Sequence, residues 1–367
     1  MPTKSKVLVI CPYPNPHLLD VIHSSCEKLN ATCDVYAFDS LPPQRTELGW
    51  QQGLGVHRLD RTAKAWLHLA SQLRRAEIVV QLGMATPRIR MLLCHCMARL
   101  AKRHIWLASE GFRSNPSHQL KLLAKFYNSS AVTLLAIGDG AADDFRTAGI
   151  TKPSIHKFGF AEKTLDLEID NGTKPDGDRA RILSVGQLIG RKNHAALIRA
   201  CSNEELRTKV EVRICGSGPL RNELESIAKT AGVSLTLPGN CSPDRLASEY
   251  AAADIFAMPS HYDGWGVTLN HAVIAGLPCV VSRHVRAGAD NLVENKSNGY
   301  IFDDEGELRR YLAALVEDSE LRHSMSEASK RIGQLWTVDS LSERLATTIG
   351  SEQGDDFSSG PLSKIRA

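Results

Sequence analysis

Short runs of aliphatic and β-branched residues alternate with longer stretches of helical periodicity along most of the chain. Val7–Cys11, Asp34–Phe38, Ile78–Leu82, His104–Ala108 and Val132–Ile137 are compact apolar runs of the kind that form buried strands. Between them, His17–Leu29, Ala63–Arg75, Arg88–Arg103, Leu120–Ser129 and a segment starting at Ala141–Ala148 carry apolar residues at helical spacing. Strand and helix in strict alternation predict parallel strands joined by crossover helices.

The rhythm stops at Asp166–Arg179, a polar stretch with Asn171-Gly172 and Pro175-Asp176-Gly177 that reads as an interdomain linker. It then restarts. Arg181–Val185, Val210–Cys215, Leu235–Leu237, Ile255–Met258, Cys279–Ser282 and Gly299–Phe302 predict strands. Ala195–Cys201, Leu220–Thr230, Arg245–Ala252, Val267–Ala275 and Glu305–Glu317 predict helices. The expected organisation is an N-terminal Rossmann-like domain over residues 1–170, a C-terminal one over 171–350, and a disordered tail over 351–367. The two doubly wound domains are expected to face each other across a cleft.

The length of 367 residues suits two such domains. The net charge of +3 gives no case for nucleic acid as a partner. The charge is uneven, however: residues 1–170 hold 21 Lys and Arg against 15 Asp and Glu. A basic N-terminal half suits an anionic membrane or acceptor, and equally a scattered solvated surface. Nine cysteines without framework spacing read as small buried residues in a reducing compartment. Cys94-His95-Cys96 sits in an apolar helical run and reads as core, so no metal site is expected there. No run approaches a membrane span, and the first residues enter a strand without a signal peptide. The expectation is a cytoplasmic protein, soluble or at the inner face of the membrane.

The densest candidate chemistry is Pro259-Ser260-His261-Tyr262-Asp263-Gly264-Trp265-Gly266-Val267. A strand ends at Pro259-Ser260, a short loop carries one acid and two glycines, and a helix begins near Val267. Glycines there let the backbone approach a ligand, and the free N–H groups of the helix favour a diphosphate. A tight turn without a ligand uses the same residues. Gly186-Gln187-Leu188-Ile189-Gly190-Arg191-Lys192-Asn193 is a second strand-to-helix turn, with adjacent cations. Cys215-Gly216-Ser217-Gly218-Pro219 is a third.

Taken in order, these segments resemble the donor motifs of retaining GT-B glycosyltransferases of family 4 type. That pattern is Pro-Ser, then Glu-(x)7-Glu within a Gly-aromatic-Gly loop, then Gly-x-Pro. It is matched here at Asp263, Gly264, Trp265, Gly266, Gly276 and Pro278. The resemblance covers most of residues 181–345 and reaches back to Ala136–Ala141 and Thr147–Ile150. It implies the α/β GT-B fold and a nucleoside-diphosphate sugar as substrate, with no cofactor and no metal. It implies that Asp263 contacts the donor sugar near the reacting carbon, and that Lys192 with Arg191 stabilises the departing diphosphate. Gly186, Gln187, Gly216, Gly218, Gly264, Trp265, Gly266 and Val267 are implied to line the donor site. Two positions depart from the pattern. His271 stands where a second carboxylate would take the ribose hydroxyls, and neutral imidazole has one acceptor nitrogen. A helix-face histidine without a ligand also fits. Gln187 stands where arginine is usual.

On the acceptor side, Pro12-Tyr13-Pro14-Asn15-Pro16-His17 makes a proline-stiffened loop after the first strand. His17 and Glu110, in Ser109-Glu110-Gly111-Phe112, are candidate acceptor contacts. Each also reads as an ordinary helix or capping residue. Arg88, Arg90, Arg99, Lys102 and Arg103 give the helix over 88–103 a basic character that fits a membrane surface or plain domain cover. The implied function is transfer of a sugar, with retention, to a glycan or lipid-linked acceptor in cell-surface polysaccharide synthesis. The alternatives are a degenerate non-catalytic GT-B partner subunit and a sugar-nucleotide epimerase. No acids suited to epimerase chemistry are paired across the two halves.

Overall fold

The computed structural model describes residues 4–40, 55–84, 89–111, 118–161, 179–350, 357 and 360–365. The chain divides into two compact units, Met1–Ala161 with Val338–Ala367, and Glu162–Thr337.

The first unit is a parallel sheet of β1 (Lys6–Cys11), β2 (Thr32–Ala37), β3 (Val56–Arg58), β4 (Ile78–Leu82), β5 (Ile105–Glu110), β6 (Val132–Ile137) and β7 (Ser154–Phe158), in the order β3-β2-β1-β4-β5-β6-β7. Its helices are α1 (Pro16–Lys28), α2 (Ala63–Arg75), α3 (Ile89–Leu100), α4 (His118–Tyr127) and α5 (Asp139–Thr147). The order reverses at β1. Right-handed crossovers therefore put α1 on one face and α2 to α5 on the other. Leu8 and Ile10 of β1, Leu69 and Leu73 of α2, Met91 and Cys94 of α3, Ala124 of α4 and Phe145 of α5 share one buried cluster on that second face. Helix α1 starts where Asn15 Oδ1 accepts from His17 N at 3.1 Å, with Pro16 in the first turn, where its missing N–H costs nothing.

The second unit repeats the plan with β8 (Ala180–Val185), β9 (Val210–Cys215), β10 (Ser234–Gly239), β11 (Ile255–Met258), β12 (Cys279–Ser282) and β13 (Gly299–Phe302), in the order β10-β9-β8-β11-β12-β13, again all parallel. The helices are α6 (His194–Ala200), α7 (Glu204–Arg207), α8 (Arg221–Ala231), α9 (Pro243–Ala251), α10 (Val267–Ile274), α11 (Arg286–Leu292), α12 (Glu305–Glu317) and α13 (Ser319–Leu335). The order reverses between β8 and β11, so the loops leaving these two strands diverge around a shared crevice. Open α/β sheets hold ligands at such a point.

The boundaries differ from the sequence reading at the C-terminal end. Helix α14 (Val338–Gly350) falls in the first unit, not the second, because it packs on α1. Ser24 Oγ and Ser342 Oγ lie 3.0 Å apart, and Ser25 Oγ donates to Ser342 O at 3.1 Å. The expected disordered tail is also corrected in part. Residues 360–365 continue the first sheet beside β7: Leu362 N donates to Lys157 O at 2.7 Å, Lys157 N to Ser363 O at 2.9 Å and Ile365 N to Ile155 O at 2.8 Å. Leu362 is fully buried, which supplies the apolar contact that a disordered tail lacks. The linker over 166–178, Arg88 and Phe112 lie outside the described residues.

Candidate active site

Two loops meet at the switch point of the second sheet. The loop after β8 carries Gly186 to Asn193, and the loop after β11 carries Pro259 to Gly266. His261 N donates to Arg191 O at 2.9 Å, and Arg191 Nη1 donates to Tyr262 O at 2.7 Å. Lys192 Nζ donates to Asp263 Oδ2 in a short contact, and Arg191 Nη1 lies 3.3 Å from the same oxygen. The side chains of Lys192 and Asp263 are 12% and 17% exposed, so water screens their pair far less than a surface ion pair. Asp263 is fixed from its other side, where its N donates to His284 O at 3.2 Å. Asp263, Lys192 and Arg191 thus form one group. Gln187, at the usual arginine position, is exposed.

Glycines let these turns approach one another. A Cβ on Gly216, after β9, would lie 2.0 Å from Gly186 O, so only glycine lets the two turns meet. Gly186 N donates to Cys215 O, and Leu188 N to Ser217 O, both at 2.9 Å. Gly266 opens α10 at φ 82°, a left-handed conformation that disfavours side chains. It also packs against Met258 and Val285. Gly264 and Val267, beside it, are partly exposed.

Trp265 departs from its expected role. Its side chain is turned into the core at 2% exposure and meets Trp336 at a tilt of 55°, with centroids 5.0 Å apart. Its Nε1 donates to Asn270 Oδ1 at 3.0 Å. Burial of the large ring and a satisfied N–H explain that direction, and leave only its main chain beside the loop. His271, on α10, meets Tyr250 edge-on with centroids 5.8 Å apart, and both its ring nitrogens are shielded from solvent.

In the first unit, a cavity of about 370 Å³ opens at the carboxyl ends of the strands. Tyr13, Asn15, Met84, Glu110 and Phe160 are among its lining residues. His17 is not among them, but its ring lies 6.0 Å from that of Phe160. Glu110 is therefore brought to this cavity directly, and His17 through Phe160.

Sequence reasoning missed His194. It is 3% exposed beneath the β8 loop, with Nδ1 3.3 Å from Ser184 Oγ. Burial, and then the charge of Lys192, push its pKa down to about 4, so it stays neutral under a cationic loop. A lone histidine after Lys-Asn carries no signal for this. Cys215, Cys241 and Glu249 were also missed as a group. Their donor atoms lie within 4.8 Å of one another, though Glu249 is already paired with Arg213. Cys94 and His95 pack in the core, His95 against Tyr127 and Gln81. All nine cysteines are free thiols. Among the described residues no helix is long and apolar enough to cross a membrane.

Two doubly wound sheets with glycine turns at the switch point of the second are the GT-B fold. The Anabaena protein HepE, solved in complex with UDP, superposes with a TM-score of 0.73 over 94% of this chain and 99% of its own, at 17% identity. Residues 166–332 match the profile of the glycosyl transferases group 1. That match lies in the C-terminal unit. The GDP-mannose-dependent alpha-(1-6)-phosphatidylinositol monomannoside mannosyltransferase of Mycobacterium tuberculosis is 27% identical over 195 residues, 49% of each chain. The N-acetylgalactosamine-N,N'-diacetylbacillosaminyl-diphospho-undecaprenol 4-alpha-N-acetylgalactosaminyltransferase of Campylobacter jejuni is 30% identical over 154 residues, 41% of this chain and 40% of its own. The chain spans about half the length of the curated relatives it matches.

Proposed function

We propose that this protein is a retaining glycosyltransferase that takes a sugar from a nucleoside diphosphate and delivers it to a glycan or lipid-linked acceptor in cell-surface polysaccharide synthesis. The observation that carries the reading is the convergence of Lys192, Arg191 and Asp263 where the β8 and β11 loops meet. Two cations on one carboxylate leave a net positive charge at the strand ends. An incoming diphosphate offers these cations more negative charge than Asp263 does, and exchange onto it frees the carboxylate for the donor sugar.

In the proposed reaction the bond from the sugar's anomeric carbon to the diphosphate oxygen breaks, and its electron pair leaves with the diphosphate. Lys192, Arg191 and main-chain N–H groups near Gly264 to Val267 stabilise the charge that develops there. Asp263 orients the sugar and offsets the positive charge of the ring in the transition state. The acceptor hydroxyl attacks from the leaving-group side and passes its proton to the departing phosphate. These cations do the work a metal would otherwise do. The UDP bound by HepE and the GDP-mannose named for the mycobacterial relative support a diphosphate donor of either base. The polyprenyl diphosphate in the Campylobacter relative's name supports a lipid-linked acceptor. Glu110 and the cavity it lines are assigned to the acceptor, with His17 behind Phe160.

Calorimetric titration with UDP, GDP, ADP and dTDP, followed by a donor-consumption screen, tests the reading. Binding of one nucleotide with consumption of its sugar conjugate is expected, unchanged by a chelator. Binding to none of them overturns it. The second reading, a non-catalytic partner subunit, is favoured by the exposed Gln187 and the shielded His271. Binding without consumption or transfer selects it.

A further inference from the structure

We propose that the face of the N-terminal unit built by α2, α3 and α4 rests on an anionic lipid surface. Leu67 of α2, Ile89, Leu93 and Leu100 of α3, and Leu122 and Phe126 of α4 are 49% to 83% exposed. Among the described residues these are all the large apolar side chains found exposed. None belongs to the second unit, although that unit has the same architecture. Ile89, Leu93 and Leu100 recur at helical spacing and form one stripe, as do Leu122 and Phe126. The three helices cover the same side of the sheet and share one core, and His95 of α3 meets Tyr127 of α4 at 4.5 Å.

The charge around these stripes is of one sign. Residues 61–131 contain twelve Lys and Arg against two acids, Glu77 and Glu110, and the helices α2, α3 and α4 contain no acid at all. The structure also sorts the cations. Arg90 is held at 3.6 Å from Asp39 and over the Phe38 ring, and Arg103 donates to Leu73 O and Arg74 O. Those two are committed inside the unit. Lys64, Arg74, Arg75, Lys102, Lys121 and Lys125 are exposed. Exposed leucines and a phenylalanine, ringed by long cationic side chains and free of acids, match the boundary of a bilayer carrying anionic headgroups. The apolar tips enter the acyl region while the lysines reach back to the headgroups. The surface extends over three helices, beyond the single basic helix suggested by sequence.

The test uses the full chain without nucleotide, so its outcome is independent of the transferase reading. Flotation is compared on vesicles of phosphatidylcholine alone and of phosphatidylcholine with about one-third phosphatidylglycerol. Binding to the second and not the first, weakening as salt rises, is expected. Leu93→Asp with Leu100→Asp, and separately Lys121→Glu with Lys125→Glu, are each expected to reduce partitioning about tenfold or more while the thermal midpoint is kept. No flotation on the anionic vesicles overturns the proposal, as does binding that neither pair of substitutions changes. It is also overturned if light scattering finds a dimer that the leucine pair dissolves, because a second copy then covers the face.

Discussion

Lys192 and Asp263, 71 residues apart in sequence, form a partly buried ion pair that ties the loop after β8 to the loop before α10. In the proposed donor complex Lys192 changes partner, from the carboxylate to the diphosphate. Removing either member of the pair should therefore have opposite effects on binding. Lys192→Ala is expected to weaken nucleoside diphosphate binding about tenfold or more, since it deletes a charge-assisted contact. Asp263→Asn releases both cations, so affinity should hold or rise while turnover falls about a hundredfold or more. Calorimetry beside a transfer assay reads both. A parallel loss of affinity in the two variants would mean that the pair serves only to hold the loops.

His271→Glu restores a carboxylate at the second acidic position of the family pattern. In the free protein that carboxylate replaces an imidazole whose nitrogens are shielded beside Tyr250, and burying it should lower stability by about 1–3 kcal/mol. A nucleotide that offers ribose hydroxyls should then raise the melting midpoint more in the variant than in the parent. Differential scanning fluorimetry with and without nucleotide measures both shifts. Equal shifts would place His271 outside the ribose site.

His95 and His194 are both held near a pKa of about 4, chiefly by burial, against about 6.5 in an unfolded chain. Their folded-state values are depressed, so the unfolded chain binds more protons as pH falls. Stability is full above about 6.5, drains between about 6.5 and 4, and levels off below, by on the order of 3 kcal/mol for each histidine. Urea melts from pH 7 to pH 4 should show this slope. In His194→Gln its share disappears, and an unchanged slope would show that His194 is protonated in the folded protein.

Leu362 is fully buried beside β7, although it lies within the segment expected from composition to be disordered. Leu362→Ala should destabilise the N-terminal unit by about 2–4 kcal/mol. Nucleotide binding assigned to the second unit should be untouched. A melt that does not change would mean that residues 360–365 leave the sheet in solution.

The strands of the second sheet were the most legible part of the chain. Val210–Cys215, Ile255–Met258, Cys279–Ser282 and Gly299–Phe302 occupy the predicted bounds. Parallel strands covered on both faces read as unbroken apolar runs. Val56–Arg58 and Ser154–Phe158 were not legible: the first is short and mostly exposed, and the second interleaves Ser, His and Lys with its apolar residues. Asp263, Lys192 and Arg191 stood out singly through their turns, but their meeting depends on the reversal of strand order between β8 and β11. Trp265 misled because an aromatic between two glycines looks exposed, while its partner Trp336 lies at the far end of α13. His194 has a partner in Ser184 that only the fold supplies.

The path of α14 has a consequence for how the molecule is made. The N-terminal unit is closed by residues 338–350 and 360–365, which leave the ribosome only after the whole C-terminal unit has been synthesised. Until then the α1 surface that receives Ser342, and the free edge of β7, wait without their cover. The unit synthesised first is therefore completed last. A fragment cut in the polar stretch between the units would lack the helix and strand segment that finish it, whereas the C-terminal unit is continuous in sequence and can be complete on its own.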